Sequence, residues 1–236
     1  MLELFKNRRI LVVAAHPDDE LLGQGATMHK LSRNGIECHS LILGEGIAAR
    51  SEDGNKEQWE EELKEHKKNI QDAADIIGYQ SVTTYDFPDN RFDTVALLDI
   101  IKVIEKEKDR LKPDIIFTHH GGDLNIDHQR VFQAVITACR PMKHERVKTI
   151  LTFETPSGTE WRASSDPHKF IPNLYVEVGE ENVLAKCSAM EAYINESRDW
   201  PHPRSAEALK ILSKRTGAIV GKNYAESFQI IRSIQS

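Results

Sequence analysis

The sequence predicts an α/β fold: a Rossmann-like, mostly parallel sheet with helices on both faces, formed by residues 1–236 as a single domain. Three observations carry this. Short apolar, partly β-branched runs alternate with amphipathic segments long enough for helices. The run Ile10-Leu11-Val12-Val13-Ala14-Ala15 is apolar without a break, as a parallel strand covered on both faces must be. No low-complexity linker or internal repeat divides the 236 residues, a length that suits one α/β domain with a sizeable core.

The elements follow in order. After the first strand, Leu21 to Arg33 reads as a helix closed by Asn34-Gly35, a C-cap pair. Ile36 to Leu43 is a second strand, and Gly44-Glu45-Gly46 opens a loop at its end. Lys56 to Ile77 is a long polar helix with Leu63, Ile70, Ala74 and Ile77 on one face, stopped by Gly78. Val82 to Tyr85 is a short strand, Thr94 to Leu111 a helix ended by Pro113, and Asp114 to Thr118 a strand. Ile126 to Cys139 is a helix broken by Pro141. Val147 to Phe153 and Asn173 to Val178 are strand-like, helices follow at Asn182–Ile194 and Ser205–Thr216, and a last strand lies near Ser227–Ile231. Thr155 to Pro172 has little periodicity and reads as a lid, binding loop or subunit contact.

Composition excludes several classes. A net charge of -6 argues against a nucleic-acid footprint, which needs clustered Lys and Arg. The three cysteines, Cys38, Cys139 and Cys187, show no C-x-x-C spacing and suit a reducing compartment. The first nine residues are too short and too charged for a signal peptide, and the Ile10–Ala15 run is far too short to span a bilayer. The expectation is a cytoplasmic protein with no membrane insertion. Gly23-Gln24-Gly25 lacks the third glycine of a dinucleotide loop and falls inside a helix, so it reads as close packing or a local irregularity.

His16-Pro17-Asp18-Asp19-Glu20 follows the first strand directly. Ligands of open α/β sheets bind outside the carboxyl ends of the strands, so these side chains are aimed at the site. His16 and Asp19 can place an imidazole nitrogen and a carboxylate oxygen on one metal, leaving Asp18 as a base. Glu20 reads as a charge at a helix N-terminus or as a partner of the ligands rather than a ligand. A second cluster, His119-His120-Gly121-Gly122-Asp123-Leu124-Asn125-Ile126-Asp127-His128, follows the strand Asp114–Thr118. His128 supplies a third ligand. Two His and one carboxylate leave open positions, as catalytic zinc requires, but the same set serves non-heme iron. The spare carboxylate favours a hydrolase, which needs a base for water. No G-x-S-x-G occurs, and no cysteine lies in a site loop.

These motifs resemble the LmbE/PIG-L family of zinc-dependent de-N-acetylases. The AHPDDE element carries most of the likeness. Gly44-Glu45-Gly46 with Arg50, Asp89-Asn90-Arg91-Phe92-Asp93, Asn125-x-Asp127-His128, Pro201-His202-Pro203-Arg204-Ser205 and Tyr224-Ala225-Glu226-Ser227-Phe228 extend it over nearly the whole chain. The resemblance implies one Zn2+ per chain on His16, Asp19 and His128, with another divalent metal such as Fe2+ as the alternative. It implies Asp18 as general base, and Asn125 and Asp127 as further catalytic residues. Arg50 would contact the sugar or its attached group, with Asp93, His120, His202 and Arg204 as further substrate-binding candidates.

The reaction implied is removal of an N-acetyl group from an amino sugar or sugar conjugate. The rival readings are a non-catalytic sugar- or nucleotide-binding protein of this fold and another metal-dependent amidohydrolase. One position departs from the family: many members carry His where this chain has Asn125, and an amide cannot deliver a proton near neutral pH. A general acid would then be Asp18, His119, His120 or His202. The proline-flanked segment Trp200–Arg204 is expected to be irregular, with Ser205 capping the next helix. It would bring His202 and Arg204 to the cleft rim or, in a homo-oligomer, to a neighbour's cleft.

Overall fold

The structure, a computed structural model, describes residues 3–44, 60–163 and 165–235, with backbone alone for 60–63. Strand β1 (Ile10–Ala14) is the centre, and none of its five side chains reaches solvent. Full burial of each Ile, Leu or Val contributes about 1.5–3 kcal/mol, which is why an unbroken apolar run settles here. Its sides alternate: Ile10 and Val12 join one core, Leu11 and Val13 the other.

The remaining elements are α1 (Asp19–Leu22), α2 (Gly25–Arg33), β2 (Cys38–Gly44), α3 (Glu60–Ile77), β3 (Ser81–Phe87), α4 (Leu97–Leu111), β4 (Ile115–His119), α5 (Ile126–Ala138), β5 (Thr149–Phe153), β6 (Leu174–Glu177), α6 (Glu180–Ala192), α7 (Ala206–Ile219) and β7 (Ala225–Ser233). The seven strands run β3-β2-β1-β4-β5-β7-β6. The first four pairings are parallel; β7 is antiparallel to both β5 and β6. Helices α2, α3, α6 and α7 pack into the core on one face, and α4 and α5 into the core on the other. The chain therefore departs to one face after β1 and to the opposite face after β4. Because these strands are neighbours, a crevice opens between the loops that leave them.

One predicted helix is two. Leu21–Arg33 begins earlier, at Asp19, and breaks at Gly23-Gln24. A Cβ at Gly23 would sit 2.4 Å from the carbonyl oxygen of Glu154, so the backbone here lies against β5 and its exit. Gln24 bridges the break, its amide donating to the Asp19 carbonyl at 3.0 Å. The Gly-x-Gly pair is a packing device. No helix of the described residues is long and apolar enough to cross a membrane.

Candidate active site

The loop after β1 and the loop after β4 meet in that crevice. His16, Asp19 and His128 each offer a ligand atom within 4.8 Å of one another. His16 Nδ1 lies 3.3 Å from Asp19 Oδ2, and His128 Nε2 lies 3.2 Å from the same oxygen. The other nitrogen of each ring faces carboxylates. His16 Nε2 is 2.9 Å from Asp127 Oδ2 and 3.0 Å from Asp89 Oδ1, and His128 Nδ1 is 3.0 Å from Asp123 Oδ1. Carboxylates on the far nitrogens fix the orientation of ligating imidazoles and raise their basicity. Asp127 is fixed in turn, its Oδ1 accepting from the Phe92 backbone N–H at 2.9 Å.

The donor set fits a divalent metal. Asp19 Oδ1 and both ring nitrogens of His128 are buried without a hydrogen-bond partner. Buried polar atoms are seldom left so, and an ion held by Asp19 and His128 Nε2 would relieve this. Charge distribution agrees. Burial would raise the Asp19 carboxyl, yet His128 and His119 facing it hold it well below the usual range. Burial likewise opposes protonation of His128, but Asp19 and Asp123 lift it to about 9. The cluster is strongly polarised and its two histidines are held by anions, as a cation site requires.

Asp18 sits beside the cluster and differs in kind. Its Oδ2 accepts from Arg204 Nη1 at 2.7 Å, and its Oδ1 is buried with no partner. Burial pushes its carboxyl well above the ordinary value, against the opposing Arg204 guanidinium. Arg204 is held by Ser157 Oγ at 2.9 Å and approaches Glu196 at 3.4 Å. The proline-flanked loop thus delivers Arg204 onto the carboxylate foreseen as base. Ser205 caps α7, accepting from Ala208 N–H at 3.1 Å.

The other candidates are distributed as follows. Asn125 caps α5, accepting from the Asp127 N–H at 2.8 Å, and its amide nitrogen donates to Asn90 at 3.2 Å. His120 lies 2.8 Å from the His168 carbonyl, against Phe170. Asp93 is exposed in a short 3-10 turn. His202 accepts from the Arg204 N–H at 3.1 Å and packs edge-on against Trp161, which is 54% exposed. Arg50 lies outside the described residues. Of the residues weighed as proton donors, His119 is excluded by its surroundings. Burial and the stacked ring of His128 lower it to about 3, and its Nε2 accepts from the Ala15 N–H at 2.9 Å.

Asp89 was not assigned a role from sequence: it lay in a recognised segment but carries no local signal that ties it to His16. Asp123 reads in the sequence as orienting its loop or pairing with Arg130; it faces His128, and the Arg130 guanidinium bonds Gln133 instead. Residues 155–162 pack onto Asp123: Thr159 Oγ1 donates to its carboxylate at 2.6 Å and Arg162 to its carbonyl at 2.8 Å. A cavity of about 780 Å³ lined by Lys6, Arg8, Arg9, Glu37 and Asp114 lies at the other end of the strands and is not part of this site.

Fold and site together define an α/β protein with a two-histidine, one-carboxylate cluster at its strand carboxyl ends, Asp19 and His128 buried and His16 partly so. The chain belongs to the PIG-L family, described as GlcNAc-PI de-N-acetylase, whose profile matches residues 11–139. It is 30% identical over 193 residues, 80% of this chain and 91% of the relative, to the uncharacterized deacetylase YaiS of Escherichia coli K12. It is 25% identical to the diacetylchitobiose deacetylase of Thermococcus kodakarensis, over 96% of this chain and 84% of the relative. The fold is shared with the 4-carboxy-2-hydroxymuconate hydratase GalB of Pseudomonas putida, with TM-score 0.72, 19% identity and 97% of this chain and 98% of that one covered. The fold alone therefore does not select a reaction.

Proposed function

We propose that the protein is a zinc-dependent hydrolase that removes the N-acetyl group from an amino sugar or sugar conjugate. The observation that carries the reading is the unpartnered Oδ1 of Asp18 beside the converging ligand atoms of His16, Asp19 and His128. The family and the diacetylchitobiose deacetylase relative support acetylated amino sugars as the substrate class.

His16, Asp19 and His128 would hold the metal, with Asp127, Asp89 and Asp123 fixing the two rings. A divalent ion there supplies a Lewis acid that lowers the pKa of water toward neutrality and polarises the acetyl oxygen. Asp18 Oδ1 accepts the proton of the attacking water as oxygen bonds to the carbonyl carbon. Arg204 retains Oδ2, so only one oxygen of the base turns over. The C–N bond then breaks, Asp18 returns the proton to the amine nitrogen, and acetate and free amine result. This route needs no acid from His119 and no side chain at position 125 that titrates.

The test pairs metal analysis of purified protein with acetate release across a panel of N-acetylated sugars and their conjugates. The reading expects about one zinc per chain and acetate from at least one member. Metal-replete protein that binds the sugars and releases nothing would make it a binding protein; cleavage of other amides alone would make it a different amidohydrolase.

A further inference from the structure

We propose that Glu20 and Tyr193 are positioning residues for the base: together they hold the backbone of Asp18 in the bend that turns its carboxylate toward the His16–Asp19–His128 cluster. The inference rests on the functional reading above for the role of Asp18, and on geometry for the rest.

Asp18 has φ 95° and ψ -31°, in the region that side chains with a Cβ rarely adopt. Such a conformation persists only where the surroundings determine it more than once. Here they do. The Asp18 N–H donates to Glu20 Oε2 at 2.8 Å. The other oxygen of that carboxylate accepts from the Tyr193 hydroxyl at 2.5 Å, from the C-terminal end of α6. The Tyr79 hydroxyl donates to the Glu20 carbonyl at 2.6 Å. All of these groups are buried.

The pattern distinguishes this role from the two read in sequence. Both Glu20 oxygens are taken, by the Asp18 N–H and the Tyr193 hydroxyl, so neither holds His16, Asp19 or His128 as a partner of the ligands would. Its carboxylate bonds the residue before α1 and a tyrosine from another element, which an N-terminal helix charge would not need. The bend also separates two consecutive carboxylates. Asp19 faces both histidines, whereas Asp18 faces Arg204 and keeps Oδ1 clear. Without the bend the two carboxylates would not divide the work.

The experiment compares Tyr193→Phe, Glu20→Gln and Glu20→Ala in the full chain. Zinc content, kcat and KM are measured, together with hydrogen exchange at the Asp18 amide in metal-free protein. Misplacing a catalytic group by about 1 Å costs up to ~100-fold, so Glu20→Ala should lose about that in kcat. Tyr193→Phe should lose roughly tenfold. In both, KM and zinc content should stay within about twofold, while exchange at Asp18 accelerates. Glu20→Gln keeps an oxygen for the Asp18 N–H and should restore most of kcat and protection. Wild-type kcat and wild-type Asp18 protection in Tyr193→Phe and Glu20→Ala overturn the proposal, as does loss of zinc with Asp18 protection intact. If Glu20→Ala does not fold, Tyr193→Phe decides. If wild-type protein releases no acetate from any substrate, the functional reading fails, and the exchange measurement still decides whether these residues hold Asp18.

Discussion

Arg204 Nη1 and Asp18 Oδ2, 186 residues apart in sequence, are joined by a 2.7 Å charge-assisted hydrogen bond at the edge of the histidine cluster. The guanidinium opposes the rise that burial imposes on this carboxyl. Arg204→Gln removes that opposition, so Asp18 becomes harder to ionise and the acidic limb of the kcat profile moves to higher pH. Roughly tenfold loss near neutrality is expected, with recovery in alkaline buffer. An unmoved limb would show that Arg204 acts on substrate alone.

Asp18→Asn keeps size and removes basicity. Zinc content should be unchanged and turnover should fall by about 100-fold or more. Metal analysis beside steady-state kinetics checks this; loss of zinc would instead make Asp18 a ligand.

Metal binding should release protons, with a definite pH dependence. His128 is held at about 9 in the metal-free chain, so at pH 7 its imidazole carries a proton that a ligand cannot keep. Above pH 9 it is already neutral. Calorimetric titration of zinc into metal-free protein, in buffers of different ionisation enthalpy, should therefore show proton release at pH 7 that declines as pH rises past 9. His128→Ala should reduce that release and remove most zinc affinity; His16, which burial would lower but Asp127, Asp19 and Asp89 hold well above its ordinary value, supplies the proton release that remains.

Lys186 and Glu226 form a buried pair at 2.8 Å, and the same carboxylate accepts the N–H groups of Ala26 and Thr27 at the start of α2. Glu226→Ala leaves an unpaired buried ammonium and two orphaned amides. A loss of about 3–5 kcal/mol is expected from the urea midpoint, larger than for the double variant with Lys186→Met.

Much of this was legible from local pattern. Uninterrupted apolar runs located β1 and β4, and the position of His16–Glu20 and of Asp123–His128 at strand ends pointed to the cluster that the fold assembles. Contacts made across the fold were not legible. No periodicity ties Asp89 to His16, Tyr193 to Glu20 or Arg204 to Asp18, because each pair is set by packing of distant elements. The antiparallel course of β7, the one reversed strand among the described residues, was hidden for the same reason: alternation marks a strand but not its direction. Arg50 falls among residues that the structure does not describe, and its assignment stays with the substrate panel.

The strand order gives the chain a timetable for synthesis. β7 lies between β5 and β6 although it follows both, so β6 has no neighbour in the sheet until residues 225–233 have been made. The strands that carry the histidine cluster can pair as soon as β4 emerges, yet Glu226, which anchors α2, and Arg204, which holds Asp18, come late. A ribosome-bound chain stopped before residue 204 would have its cluster ligands and lack the partner of its base. The cluster residues are therefore all present in the growing chain before the residue that holds the proposed base.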